Sequence, residues 1–414
     1  MFEFMKIAFN MIGNLKNVVS LPLVASAALL LLACAQETCL TSPFDPETAC
    51  LISEPCNMMS HAPSVEIAPD GTVYAMYYRD TTQLVEDGAN KSIELVFDRF
   101  SITDPSEVEH SAFLSIDRTV GDYTQRVRPA YDPSIFLSGE KLICDFLGYE
   151  EETRICRRVY DTGTGVFEDR IDRCNVSYSL DGNKITCPLS TSGITKLYGD
   201  FGFGEAVSVT DHLNPVIDKE FVRGDDGYFY NVISSWCCPQ SRPVIVRTLD
   251  GVDYDVVFVC PEFVYGSAEA SIAIVGGEFY IQARSARPED KSKAGTYIGK
   301  YSASGECLVK PYKLGDIESR MAMTVHNGKL YSFYNAGPNI VSPLGRVHRS
   351  RLRISEIDST AQAVRSWDVT SRHGIQYFNV DEWKGRLYMT FVEDRFEHKV
   401  TQAKGNVAFC KLNI

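Results

Sequence analysis

Several side chains with useful chemistry stand near the ends of apolar, strand-like phrases. Glu269 opens one such phrase and Arg284 closes it. An arginine-rich run holds Arg346, Arg349, Arg351 and Arg353, and Tyr377 begins a later apolar strand. Nearer the start stand His61, Arg79 and, in a polar loop, Asp87. Guanidinium groups bind carboxylates through paired, charge-assisted hydrogen bonds that lysine reproduces poorly. A tyrosine hydroxyl titrates near roughly 10 and needs a neighbouring base and positive charge to become a nucleophile. An aspartic acid in reach of a leaving oxygen can protonate it and then activate water. The same residues also suit plainer roles: a packed core tyrosine, solvated strand-end carboxylates, surface ion pairs and an arginine-alternating exposed strand.

Positioning such groups requires a scaffold, and the sequence repeats one. Alternating apolar residues, a Gly-containing turn and an apolar or aromatic strand recur seven times, at 64–80, 133–148, 175–190, 220–235, 271–285, 321–337 and 377–394. Period-two patterning makes strands, and Asp-Gly or Asn-Gly makes hairpin turns. The turn glycines, from Gly71 to Gly385, are spaced by roughly 43 to 68 residues, room for four strands each. A hairpin cannot bury both faces alone, so repeated four-stranded sheets pack radially. The expected fold is all-β, a β-propeller of four-stranded blades. Seven hairpins give seven blades, or six if 175–190 is an insertion. The C-terminal strand belongs to the last blade, closed by a strand from residues 36–60. In this frame the residues facing the axis include His61, Asp132, Glu269, Arg320 and Tyr377 before inner strands. Arg79, Trp236, Arg284, Asn335 and Glu393 follow second strands.

The chain has 414 residues, 44% hydrophobic and 23% charged, which excludes intrinsic disorder. Its net charge of −13 argues against nucleic acid as a partner. Lys6 and Lys16 precede an apolar run ending Leu31-Leu32-Ala33-Cys34. This reads as a secretory signal over 1–33, and its ending resembles a bacterial lipoprotein signal with Cys34 as the lipidated residue. The expected location is the bacterial cell envelope, outer membrane or periplasm, with the membrane met through the lipid anchor alone. Residues 34–60 then form a linker and closing strand, and 61–414 a single propeller domain. Twelve further cysteines suit disulfides in an exported chain, and Cys144, Cys156, Cys174 and Cys187 are placed to staple neighbouring hairpins. No CxxC occurs, which argues against a zinc site, and nothing in the sequence indicates another metal or an organic cofactor.

Two segments resemble the Asp-box of sialidases and related BNR-repeat propellers. In 244–257 the matching residues are Thr248, Asp250, Gly251 and Tyr254, and 177–185 is a weaker match. The order of charged residues is also similar to the sialidase family. Glu269 precedes an inner strand and Arg284 ends the next. Arg349 falls in a segment like that of the family's third arginine, Tyr377 in one like that of its nucleophilic tyrosine. Residues 77–101 resemble the family's Arg, Asp, next-strand passage, with Asp87 at the acid/base aspartate. The resemblance implies a glycoside hydrolase, an exo-α-sialidase-like enzyme that releases a terminal sialic acid or related acidic sugar with retention. Tyr377 would attack, Glu269 would take its proton, and Asp87 would serve the leaving oxygen. Arg284, Arg349 and Arg79 would hold the substrate carboxylate, with His61 also binding substrate. The chain departs from the family where His61-Ala62-Pro63 replaces an Arg-Ile-Pro phrase and Phe378 a serine. That departure leaves two alternatives: a non-catalytic glycan-binding propeller, and a polysaccharide lyase acting on uronic acids through His61 and Tyr377.

Overall fold

Apolar alternation and tight turns do produce antiparallel sheets. The computed structural model describes residues 42–414 apart from 55–56, 58, 83–91, 204–213, 219, 237–240, 264–265, 286–290, 318, 338–340, 343–344, 347–348, 372 and 396–403. Cys34 and Asp87 therefore lie outside the described residues. The stretch Pro43–Ile414 is one compact unit.

Among the described residues, six antiparallel runs of four strands follow one another along it. The first is Met59–Ile67, Thr72–Asp80, Glu94–Ser101 and Asp104–Ser115. The second is Tyr131–Ser138, Lys141–Tyr149 and Thr153–Asp161, with Val166–Phe167 and Asp172–Arg173 sharing the fourth place. In the third, Asn214–Ile217 and Val222–Arg223 share the first place, before Phe229–Trp236, Val244–Thr248 and Asp253–Val259. The fourth is Ser267–Val275, Glu278–Ser285, Gly295–Tyr301 and Cys307–Gly315. The fifth is Ala322–His326, Lys329–Asn335, Arg351–Ile357 and Ala363–Thr370. The sixth joins Gly374–Trp383, Arg386–Arg395 and Lys404–Lys411 to the early strand Cys50–Leu51. A strand from residues 36–60 thus pairs with the C-terminal strand, as the sequence implied.

Each run lays its first strand against that of the next, and the sixth lies against the first. The unladdered edges of these first strands are stapled by side chains. Val65 N–H donates to Asn379 Oδ1 at 2.7 Å and Ile67 N–H to Asp381 Oδ2 at 2.6 Å. Ile135 and Leu137 donate to Ser64 Oγ and Glu66 Oε1, both at 3.1 Å. Met323 N–H reaches Ser271 Oγ at 3.1 Å. Buried edge amides are costly when unpaired, so these bonds replace a sheet ladder. Between the sheets the core is aromatic: Tyr74, Phe97, Phe113, Phe146 and Tyr160 in one cluster, Tyr230, Phe258, Phe279 and Tyr301 in another.

The hairpin at 175–190 is not a separate unit. Asn175–Leu180 pairs in parallel with Asp253–Val259 at the outer edge of the third run, and Asn183–Pro188 continues outward. Its Asp181 and Gly182 have φ of 50° and 79° and form an ordinary two-residue turn, not a capped Asp-box. A short helix follows, Thr191–Asp200, capped by Ser190 and seated on Ile194, Leu197 and Tyr198. The box at Thr248 does form. Asp250 Oδ1 accepts from the amides of Val252 at 2.9 Å and Asp253 at 3.2 Å, and Gly251 N–H donates to Thr248 Oγ1 at 2.9 Å.

The expected stapling by cysteines does not occur. Cys144, Cys156, Cys174 and Cys187 are buried free thiols. Cys144 opposes Arg158 and Cys156 opposes Phe146 across one strand pair, so the two are out of register. Cys174 and Cys187 donate instead to the carbonyls of Gly251 and Gly193. Burial pushes the thiols of Cys144 and Cys174 well above their usual range, which leaves them inert.

Candidate functional site

One local device positions His61, Glu269 and Tyr377 among the candidate residues. The first strands of the first, second, fourth and sixth runs each break register near their start, between His61 and Ser64, Tyr131 and Ser134, Ala268 and Ser271, and Gln376 and Asn379. Within these bulges Ala62, Asp132, Glu269 and Tyr377 adopt φ of 52°, 45°, 43° and 55°. Left-handed backbone is unfavourable for residues with a Cβ, by about 1–3 kcal/mol each, and bulges of this kind re-aim a side chain. The strain is repeated at equivalent places in four strands that lie around a common centre.

Two linked clusters result. In the first, Arg320 is fully buried. Its Nη1 lies 3.1 Å from Asp132 Oδ1 and 3.9 Å from Glu269 Oε1, and its Nη2 donates to the Ile217 carbonyl at 3.0 Å. Asp218 Oδ1 is 3.9 Å away. Arg284 donates from Nη1 to Glu269 Oε2, both side chains being buried. Burial works against the charge of Arg320, but Asp132, Glu269, Asp218 and Tyr377 outweigh it and hold the guanidinium more firmly protonated than usual.

In the second cluster, Tyr377 packs its ring 4.1 Å from that of His61, and the Arg349 guanidinium stands 5.8 Å from the Tyr377 ring centre. Arg349 Nη1 donates to Gln376 Oε1 at 2.6 Å. His61 Nδ1 shares a 2.8 Å hydrogen bond with Tyr78 Oη, and Tyr78 meets Tyr131 edge-on at 5.2 Å. Asn335 fixes the backbone here: its Nδ2 donates to the carbonyls of Ile375, Arg351 and Arg349. Arg320 joins the clusters, since Glu269 lies beside it and Tyr377 bears on its charge.

Glu269 and Arg284 therefore meet beside Arg320, and Arg349 and His61 meet at Tyr377. Arg79 is engaged elsewhere, by the carboxylates of Glu54 and Glu94. Arg351 and Arg353 point outward to Asp368, which separates them from Arg349. Arg320 and Asp132 were marked by their places before first strands, but no role followed from position alone. Tyr78, Gln376 and Asp218 were missed. Tyr78 carried no signal beyond strand alternation. Gln376 is the first residue of a bulge, and Asp218 interrupts a broken first strand. Chemically, the region offers three guanidinium groups, a phenol beside a histidine, and two carboxylates held by cations.

No protein-family model matches the chain, and no curated protein matches it in sequence. Solved structures do match. A protein of unknown function from Dyadobacter fermentans superposes with a TM-score of 0.59 at 10% identity, over 88% of this chain and 97% of that one. Trypanosoma rangeli sialidase in complex with sialic acid gives 0.52 at 14% identity, over 89% of this chain. This chain spans 56% of that enzyme's length. The fold is sialidase-like. The intramolecular trans-sialidase from Ruminococcus gnavus extends the likeness, with a TM-score of 0.50 at 12% identity over 86% of this chain and 94% of the other.

Proposed function

We propose that the chain is an exo-sialidase-like glycoside hydrolase on a six-bladed β-propeller, releasing a terminal acidic sugar with retention. The observation that carries this reading is the set of strained bulges whose residues gather Glu269, Tyr377 and Asp132 beside Arg284, Arg320 and Arg349. Arg284 and Arg349 would grip the substrate carboxylate in charge-assisted pairs. Tyr377 Oη would attack the anomeric carbon while Glu269 accepts its proton. The glycosidic C–O bond breaks, and Asp87 protonates the departing oxygen. Asp87 then takes a proton from water, which displaces the tyrosine, and Glu269 returns the phenolic proton. A neutral-charge nucleophile suits a substrate whose own carboxylate would repel Asp or Glu. The sequence further supports export with a lipid anchor at Cys34.

A second reading, a glycan-binding propeller without catalysis, has one observation in its favour. The bulge of the first run presents Ala62, a methyl group, where its counterparts present Asp132, Glu269 and Tyr377. Release of 4-methylumbelliferone from its sialoside separates the two. Tyr377→Phe should lower kcat by more than about 10³-fold. Equal rates in variant and parent would remove Tyr377 from the mechanism. Sialic acid binding without any release would favour the second reading.

A further inference from the structure

The reaction above gives His61 no task, yet its ring touches the tyrosine that would attack. The ring centres of His61 and Tyr377 are 4.1 Å apart at a tilt of 60°. His61 is half-buried in the bulge of the first run, and its Nδ1 lies 2.8 Å from Tyr78 Oη. Tyr78 is buried, and Tyr131 meets its ring edge-on at 5.2 Å. The phenol is thus held in place against one chosen nitrogen of the imidazole.

That bond bears on what charge His61 carries. A phenol donates readily and accepts weakly, so Tyr78 O–H donates to Nδ1 of the neutral ring and the imidazole proton resides on Nε2. An added proton makes both nitrogens donors, and the Tyr78 hydroxyl must then turn to accept. A hydrogen bond made to the neutral ring opposes the charged form, and so does a nearby cation. The cation is Arg349, whose guanidinium stands 5.8 Å from the centre of the Tyr377 ring on which His61 packs.

The strand of His61 packs against the second strand of its own run, the first strand of the second run and the strands of the sixth. The second strand brings Tyr78, while Arg79 is turned to Glu54 and Glu94 and Asp80 to Thr82 and Ser92. The second run brings Tyr131 and Asp132, an acid held by Arg320. The sixth brings Tyr377 and the buried Glu393, whose charge is the same with or without a ligand. A carboxylate gripped by Arg349 would add a negative charge beside the His61 ring that the empty site does not supply.

We propose that binding of a carboxylate ligand at this site takes up a proton on His61, so that an acidic sugar is held more tightly as pH falls through the range where imidazole titrates. The inference rests on the hydrolase reading for the place of the carboxylate beside Arg349. Uptake means that the liganded imidazole keeps its proton to higher pH than the free one. Affinity is then greatest below both titration midpoints and declines as pH rises through them. Tyr78 is a positioning residue in this scheme: it sets how readily the free ring accepts the proton.

The full chain labelled with 15N-histidine tests this, with His61→Gln identifying the signal. Long-range nitrogen–proton spectra of the free chain at pH 8 should show His61 in the Nε2–H form. Its titration midpoint should rise by about one pH unit when sialic acid, or formate as a bare carboxylate at high concentration, is added, and affinity for sialic acid should fall about tenfold from pH 5 to pH 8. His61→Gln should remove that fall, and Tyr78→Phe should raise the midpoint of the free chain. A midpoint that neither ligand moves, or a decline in affinity that persists in His61→Gln, would overturn the proposal while leaving sugar binding intact. If sialic acid neither binds nor is released from a sialoside, the hydrolase reading fails separately, and the formate titration still decides whether His61 takes up a proton with a carboxylate.

Discussion

The two ends of the first strands treat carboxylates in opposite ways. At the end carrying the candidate site, Asp132 and Glu269 meet guanidinium groups, and Arg320 and Arg284 balance their charge. At the far end, Glu66, Asp381 and Glu220 accept from the backbone amides of Leu137, Ile67 and Val380. Burial raises all three acids, reinforced for Glu66 by Asp381 and for Glu220 by Asp218. Asp381 is pushed up to about 6. Residue type alone does not assign a role. Guanidinium partners neutralise the acids at one end, while amide partners make the other a clasp between sheets.

The contrast can be broken at the site end with the largest effect. Arg320→Met leaves Asp132, Asp218 and Glu269 facing a buried space without that cation. Stability should drop by about 3–5 kcal/mol in denaturant titrations. Arg320→Lys, which keeps charge but not the fork, should recover part of the loss. An unchanged midpoint in Arg320→Met would show that the acids there need no cation.

At the far end the test is pH. Carboxyls whose folded pKa lies above the unfolded value near roughly 4 bind more protons when folded, so stability falls as pH rises between the two values. Thermal melts should therefore give a lower Tm above pH 7 than near pH 5, with the decline for Asp381 running through about 6. Asp381→Asn keeps an acceptor for Ile67 N–H and should flatten that decline. His326 and Glu382, 2.7 Å apart at the same end, form a separate pair that this variant leaves in place. A Tm that rises from pH 5 to 8 would contradict the clasp.

The smallest effect belongs to the rim. Asp250→Ala removes the acceptor for two turn amides in the Asp-box and should cost about 1 kcal/mol, with sialoside release unaltered. Loss of activity at full stability would mean that this turn does more than cap its strands.

Local rules carried the fold a long way. The hairpins, their turn glycines and the Asp-box at Thr248 depend on neighbours in sequence, and each formed. The hairpin at 175–190 has the same local pattern as the others, yet it sits outside the third run, because only its distant pairing with Asp253 distinguishes it. Cysteine pairing failed for the same reason: proximity in sequence does not set register across strands. For the site, a recurring four-residue phrase was legible but unread. His-Ala-Pro-Ser at 61–64, Tyr-Asp-Pro-Ser at 131–134, Ala-Glu-Ala-Ser at 268–271 and Gln-Tyr-Phe-Asn at 376–379 all encode the same bulge. The last residue of each bonds a neighbouring run, through Ser64, Ser134, Ser271 and Asn379. The convergence on Arg320 could not be read, because it gathers residues from three separate runs and the broken strand near Asp218.

The pairing of Cys50–Leu51 with Lys404–Lys411 has a consequence for synthesis. A ribosome delivers Cys50–Leu51 long before Lys404–Lys411. During that interval the early segment and the sixth sheet lack each other, and an exposed backbone edge must persist. Late assembly of this seam should govern the rate at which the nascent chain reaches its native form, because contacts of such long sequence separation form slowly.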